Sequence, residues 1–405
     1  MKVLMLSWEF RPHVIGGLGK AVTELVPALV AAGIDVHLVT PQIGDAPDLE
    51  RMDAESAEAG TLVVYRVRPP TPDVYDIYTL AERTNRALQE QARRVIDELG
   101  GVDLVHVHDW LVAFAGIALK HAYKVPLLAT IHATEYGRHR GNISGNMSRA
   151  IHNVEWWLSY EAWRIICCSR FMATEVGAAF RAPPDKVDVI PNGIDSTPFD
   201  ALEGVDLRKF RAAYAAPDEP ILLCVGRVVY EKGAHLLVEA FPRILAEFPK
   251  AKLVITGEGP HLPAVRDRVD ELGIGDRVCF TGFVPIEVRN KLYRVADVAV
   301  FPSLYEPFGI VALEAMVAKA PVVVADVGGL SEVVTHAETG ILVHPSDAES
   351  LARGVLHTLQ RPAWARQRAA TAYRVAVEEY SWQAVARRTI QVYERIVAER
   401  RNTAW

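Results

Sequence analysis

Short apolar runs alternate with segments of helical spacing, and the alternation starts twice along the chain. No other feature of the sequence restricts the fold as much. Residues 3–7 form an apolar run, residues 20–32 place Val22, Leu25, Val26, Leu29 and Val30 at helical spacing before Gly33, and residues 35–40 (DVHLVT) are apolar again. A strand, a loop, a helix and a second strand in that order form the unit of a parallel sheet. The pattern recurs through VVYRV at 63–67, LVHVH at 104–108, LLATIH at 127–132, RIICCS at 164–169 and KVDVIP at 186–191, with helix-like stretches at 79–99, 111–122 and around 150–163. It then restarts with ILLCVG at 221–226 and continues through 251–257, 277–284, 297–303, 320–326 and 340–345, again with helices between. Strands alternating with helices twice over predict an α/β chain of two doubly wound, Rossmann-like parallel-sheet domains. The turn residues of PNGIDSTPFDALEG and AAPDEP put the break near 191–220, and residues 381–401 read as one amphipathic terminal helix.

A chain of 405 residues, half of them apolar, exceeds what a single core usually holds, and this agrees with two domains. The net charge of −6 and the absence of a basic block exclude nucleic acid as a natural partner. The cysteines Cys167, Cys168, Cys224 and Cys279 sit in or beside apolar runs without the spacing of metal ligands, and this is the pattern of a reduced, cytoplasmic protein. No apolar stretch reaches the ~18 residues of a spanning helix. Core packing is the expected role of Trp156, Trp157 and Trp163.

Glycines gather where strands meet helices. VIGGLGK (14–20) follows the first strand with Gly16 and Gly17, where backbone N–H groups can approach an anion. It is not the G-x-G-x-x-G of dinucleotide folds, and no acidic residue ends the second strand; a nicotinamide or flavin site is therefore poorly supported. GRVVYEKG (226–233) occupies the same position in the second half, with Arg227 and Lys232 at a sheet edge suited to a diphosphate. TGEGP with Gly257, DVGG at 326–329 and LYEPFG at 304–309 add further loops at that edge. His106 and His108 alternate on a strand and face one side, but a third metal ligand at suitable spacing is not visible. His132 ends another strand, where it can reach a ligand or be a satisfied histidine.

SLYEPFGIVALEAM (303–316) carries Glu306 in a loop and Glu314 within the following helix, with the N–H groups of Phe308, Gly309, Ile310 and Val311 between them. This arrangement offers anion binding flanked by two hydroxyl acceptors. No D-x-D is present, so Arg227 and Lys232 take the place of a diphosphate-gripping metal.

Taken together, EPFGIVALEAM, SWEFRPHVIGGLG, HVHDW, TIHATEYGR, VIPNGID and GRVVYEKG stand in the order found in retaining glycosyltransferases of family 4, the group of the bacterial-type glycogen synthases, and the resemblance covers the whole chain. It departs at Val14, where those synthases carry lysine, and at Phe308, where cysteine is frequent. The resemblance implies a GT-B fold, its two Rossmann-like domains facing a cleft: residues 1–200 for the acceptor, 201–380 for the donor, and a helix over 381–405 crossing back to the first domain. It implies transfer of a hexose, glucose in the first instance, from UDP-glucose, ADP-glucose or a related nucleotide-sugar donor to a saccharide, an α-glucan or a small hydroxyl acceptor, with retention and with no metal or other cofactor. By the same resemblance Arg227 and Lys232 hold the diphosphate, Glu314 the ribose and Val284 the base. Glu306 and the amides near Phe308 and Gly309 hold the sugar, His132 contacts it near the reacting carbon, and Gly17 approaches the phosphate. Asp109, Trp110, Tyr136 and Arg138 are the candidates for acceptor binding. A phosphorylase-like enzyme using sugar and phosphate, a nicotinamide-dependent oxidoreductase and a non-catalytic sugar-binding protein remain as alternatives.

Overall fold

The computed structural model describes residues 1–52, 58–70, 76–403 and 405. The chain divides into two units, Met1–Gly193 with Trp382–Trp405, and Ile194–Ser381.

The first unit is built on a sheet of β1 (Lys2–Leu6), β2 (Asp35–Pro41), β3 (Leu49–Met52), β4 (Leu62–Val67), β5 (Leu104–His108), β6 (Leu127–Ile131), β7 (Arg164–Cys167) and β8 (Val187–Val189), in the order β3-β4-β2-β1-β5-β6-β7-β8. All neighbours are parallel except β3, which pairs antiparallel with β4 (Glu50 opposite Val64) and gives the sheet one reversed edge. β1 lies between β2 and β5, with Val3 opposite both Val36 and Leu104. This is where the strand order reverses, the place where such sheets open a crevice at their carboxyl ends.

Helix Gly17–Ala31 begins inside the glycine cluster, three residues before the apolar spacing does, and buries Val22, Leu25, Val26 and Leu29. Helix Ile77–Leu99 is capped by Asp76, whose side chain accepts the Thr79 N–H, and ends at left-handed Gly100. The terminal helix Trp382–Arg401 belongs to this unit: Trp382, Val385, Tyr393 and Ile396 share a core with Val3, Met5, Val22 and Leu104. Its Tyr393 hydroxyl lies 2.8 Å from His106 Nδ1, and Trp163 Nε1 donates to Glu399 at 2.7 Å.

The second unit has a wholly parallel sheet of β9 (Ile221–Val225), β10 (Lys252–Thr256), β11 (Val278–Gly282), β12 (Val298–Phe301), β13 (Val322–Ala325) and β14 (Ile341–Val343), ordered β11-β10-β9-β12-β13-β14. Its switch point lies between β9 and β12, where Leu222 pairs with Val298. Helices Ala234–Glu247 and Ala348–Gln360 cover one core through Leu237, Phe241, Leu351 and Val355. The two ends of the unit meet: the Ile194 N–H donates to the Tyr380 carbonyl at 2.7 Å.

Trp163 is covered as expected, but Trp156 and Trp157 are not core residues. They are 47% and 36% exposed, and Trp156 stacks on exposed Tyr160. Helix Asn146–Glu161 buries Ile151, Val154 and Leu158, and the two tryptophans fall on the opposite phase. The four cysteines are free thiols. Among the described residues no helix is long and apolar enough to cross a membrane.

Candidate functional site

In the second unit, the loops after β9, β10, β12 and β13 are among those that leave the carboxyl edge of the sheet. Two of them close on each other backbone to backbone. Gly233 has φ +71°, and a Cβ there would lie 1.9 Å from the Pro302 carbonyl oxygen; no other residue fits without moving the end of β12. Gly329 is similarly pinned, a Cβ meeting the Phe308 Cα at 2.4 Å, while its N–H donates to the Glu306 carbonyl at 2.8 Å. The Leu304 and Tyr305 N–H groups donate to the Glu231 carbonyl at 2.8 and 3.3 Å.

This framework brings together two residues that are 74 positions apart. Lys232 Nζ donates to Glu306 Oε2 at 2.6 Å, and the Ser303 hydroxyl lies 3.3 Å from the same oxygen. Glu306 is 6% exposed, and its Oε1 makes no hydrogen bond among the described residues. Arg227, two residues beyond β9, is exposed and makes no ion pair among the described residues. Gly309, left-handed at φ +104°, precedes helix Ile310–Val317, which no side chain caps among the described residues; the Ala312 N–H donates to the Gly309 carbonyl at 2.9 Å. The amides of Ile310 and Val311 therefore open the helix beside the Lys232–Glu306 pair. Phe308 is buried with its ring 6.1 Å from Tyr380, Gly257 donates its N–H to the Gly282 carbonyl at 2.9 Å, and half-buried Val284 follows β11.

Glu314 is placed differently from Glu306. It is 2% exposed, one turn into the helix, with Oε2 accepting from the Tyr293 hydroxyl at 3.1 Å and Oε1 3.1 Å from Arg289 Nη2. Burial, and next the Glu314 charge, push the Tyr293 phenol well above its usual range and keep it a donor. Tyr293 and Arg289 were missed at the level of sequence. Both lie on helix Ile286–Val295, at positions whose spacing marks neither of them as a partner of a carboxylate.

In the first unit, the glycine loop is held by a residue that the spacing did not single out. Glu9 Oε2 accepts the Ile15 and Gly16 N–H groups at 2.8 and 3.0 Å. One of the amides expected to face a ligand thus faces the chain's own carboxylate. Gly17, the first helical residue, makes no backbone bond of this kind among the described residues. Gly16 has open space where a Cβ would sit, so packing does not require a glycine there.

At the carboxyl ends of β5 and β6 lie His106, His108, Asp109 and His132. Asp109 adopts φ +59°, is buried, and accepts the His132 N–H at 2.7 Å; burial raises its carboxyl pKa. Burial lowers the pKa of all three imidazoles: His106 falls to about 3 and His108 well below its ordinary value. Among the described residues no three His, Cys, Asp or Glu side chains are grouped so as to hold a metal ion. Trp110 is buried and stacks on Tyr78 at 6.1 Å, an arrangement of packing more than of display. Tyr136 and Arg138 lie half-buried on the short helix Glu135–Arg138, which Thr134 caps at the Gly137 N–H (2.9 Å). Arg138 Nη1 lies 3.8 Å from Glu135 Oε2, and the Glu135 N–H donates to both oxygens of buried Glu155 at 2.9 and 3.1 Å.

Comparison with known proteins assigns both halves. Residues 15–197 match Glycosyltransferase Family 4, and residues 206–376 match Glycosyl transferases group 1. The chain is 38% identical to an uncharacterized glycosyltransferase of Methanocaldococcus jannaschii over 97% of its own length and 98% of the relative's. It is also 38% identical to a glycogen synthase of Mycobacterium tuberculosis, over 97% of this chain and 94% of that one. Among solved structures, the sucrose-phosphate synthase of Thermosynechococcus elongatus superposes with a TM-score of 0.81 at 26% identity, covering 98% and 99% of the two chains. Matches to both halves and near-complete coverage of these relatives lead to one conclusion: the chain belongs to glycosyltransferase family 4 and is a transferase of the GT-B fold.

Proposed function

We propose that this glycosyltransferase moves a hexose, glucose in the first instance, from a UDP- or ADP-sugar to a hydroxyl of a saccharide or α-glucan, with retention and without a metal ion. The observation that carries the reading is the Lys232–Glu306 pair at the switch point of the second sheet. A cation there stands beside an uncapped helix N-terminus, and the carboxylate keeps one oxygen unengaged. The names of two relatives, a glycogen synthase and an α-maltose-1-phosphate synthase of Mycolicibacterium smegmatis that is 30% identical over 98% of this chain, support glucose as the sugar and a glucan or sugar phosphate as the acceptor.

In this reading Arg227, Lys232 and the Ile310 and Val311 amides neutralise the diphosphate, the task for which other enzymes recruit a divalent cation. Glu306 Oε1 receives a sugar hydroxyl. Glu314 meets the ribose beside Arg289 and Tyr293, and Val284 and Gly257 border the base and the phosphates. Gly17 offers its N–H to a phosphate, beside Gly16. His132 contacts the transferred sugar; Asp109, Tyr136 and Arg138 serve the acceptor, with Trp110 packed behind them. In the chemical step the bond from the anomeric carbon to the leaving phosphate oxygen breaks. The acceptor oxygen bonds to the same face of that carbon, and its proton passes to the departing phosphate.

The test offers purified protein UDP-glucose and ADP-glucose separately, with glycogen or glucose 1-phosphate as acceptor, in the presence and absence of EDTA. Nucleoside diphosphate and an α-linked product, unaffected by the chelator, are expected. Release of neither nucleotide from any combination overturns the donor assignment, and a β-linked product overturns retention.

A further inference from the structure

Three imidazoles stand in a row at the carboxyl edge of the first sheet. The His106 and His108 rings are 4.3 Å apart, and the His132 ring stacks 5.4 Å from that of His108. His106 is fully satisfied, with Nδ1 2.8 Å from the Tyr393 hydroxyl and Nε2 2.7 Å from Thr130 Oγ1. The other two share one hydrogen-bond contact, His108 Nδ1 to His132 Nε2 at 3.1 Å, while His108 Nε2 and His132 Nδ1 are buried without a hydrogen-bond partner among the described residues.

A neutral imidazole carries one N–H and one bare nitrogen, so this contact permits only two arrangements. If His108 donates, both rings carry their protons on Nδ1. His108 is then left with a bare Nε2, and His132 with an N–H that lacks a partner. If His132 donates, both protons are on Nε2, and the partnerless N–H belongs to His108. An orphaned donor is costliest where water is furthest away. Both free nitrogens are shut off from solvent, so charge decides between them: Asp109, which accepts the His132 backbone N–H at 2.7 Å, and Glu9 bring negative charge to His132 and favour an N–H on its free nitrogen, whereas His108 is flanked by the imidazoles of His106 and His132. Both rings line a cavity of about 20 Å³, room for about one water-sized oxygen. The first arrangement therefore has the lower energy.

We propose that His108 is a positioning residue: by donating from Nδ1 to His132 Nε2 it locks His132 in the Nδ1–H tautomer, so that His132 presents a hydrogen-bond donor to an oxygen of its ligand. That the ligand is the transferred sugar rests on the proposed function; the tautomer does not. Burial, which disfavours the charged form of both rings, keeps the two-state argument valid at neutral pH.

Long-range 1H–15N correlation spectra of the intact, histidine-labelled protein without substrate read the tautomers directly. Nδ1–H is expected on both rings, and Nε2–H on both overturns the proposal. His108→Leu removes the donor, whereas His108→Asn keeps an amide N–H near the position of Nδ1. His108→Leu should move His132 towards Nε2–H and lower turnover by at least about tenfold, with KM for the donor sugar little changed. His108→Asn should restore both readings. A His132 that stays Nδ1–H at wild-type turnover in His108→Leu also overturns the proposal. If no transfer is found for the wild type, the functional reading fails while the spectrum still decides the tautomer.

Discussion

Replacing Lys232 by methionine keeps an unbranched side chain one atom shorter, without the terminal ammonium, and removes its charge. The Glu306 carboxylate then loses the 2.6 Å bond to Nζ and, among the described residues, keeps the Ser303 hydroxyl at 3.3 Å. Removing one member of a fully buried pair costs ~3–5 kcal/mol. Here the glutamate side chain is 8% exposed but that of lysine is 28%, and water partly screens the pair, so about 1–3 kcal/mol is expected. In the proposed reaction the same lysine faces a diphosphate whose charge grows as the sugar leaves; losing one preorganised donor of this kind costs about 10²–10³ in kcat. The assay is a double-mutant cycle of Lys232→Met and Glu306→Gln, read by urea unfolding and by nucleotide release. Because the two residues compensate each other, the double variant should lose less stability than the two single losses combined, by roughly 1–2 kcal/mol. Its turnover should be no better than that of the worse single variant. Strict additivity in unfolding would refute the ion pair. A Lys232→Met enzyme within threefold of wild-type turnover would refute the phosphate role, whatever its stability.

Glu155 gives a pH signature. It is 3% exposed, and burial pushes its carboxyl pKa up to about 8 from an ordinary value near 4.5. Between these values the folded chain binds a proton that the unfolded chain has lost, so stability should fall as pH rises from ~4.5 through ~8. Glu155→Gln still offers a carbonyl to the Glu135 N–H and should flatten that slope, gaining up to a few kcal/mol at pH 8.5 relative to wild type; an unchanged slope in urea titrations at pH 5, 7 and 8.5 would exclude it. Gly233→Ala sets a Cβ 1.9 Å from the Pro302 oxygen at φ +71° and should cost more than about 2 kcal/mol as well as turnover, whereas Gly16→Ala, with nothing within 4 Å, should leave thermal stability within about 0.5 kcal/mol. Equal melting losses for the two would contradict the packing described.

The alternation of periods exposed both sheets, and the glycine loops exposed the edge where the candidate site lies, because each is a local signal. What escaped depends on distance or on phase. β3 reads LERM, with no apolar alternation, and becomes a strand only because β4 offers it an edge. Glu9 holds the glycine loop through a fold-back of six and seven residues, and His106 is satisfied by Tyr393 from 287 residues away. Arg289 and Tyr293 reach Glu314 from a neighbouring helix. Trp156 and Trp157 are a different case: the spacing of Ile151, Val154 and Leu158 puts them away from the buried face, and phase, not residue type, decides their place.

The path of the chain inverts the usual order in which a protein is completed. The segment Ile194–Ser381 has its own core, and its two ends meet in a parallel bridge between Ile194 and Ser381, so its core residues are all in the chain once residue 381 has been made. The first unit is started earlier but lacks Trp382, Val385, Tyr393 and Ile396 until the final helix emerges. Domains generally fold in the order in which they are synthesised. Here the half begun first is finished last, and until then His106 has no tyrosine and the inner face of helix Gly17–Ala31 has no cover from the terminal helix. A nascent chain stalled short of residue 382 would therefore carry a finished second unit beside a first one still exposing part of its core.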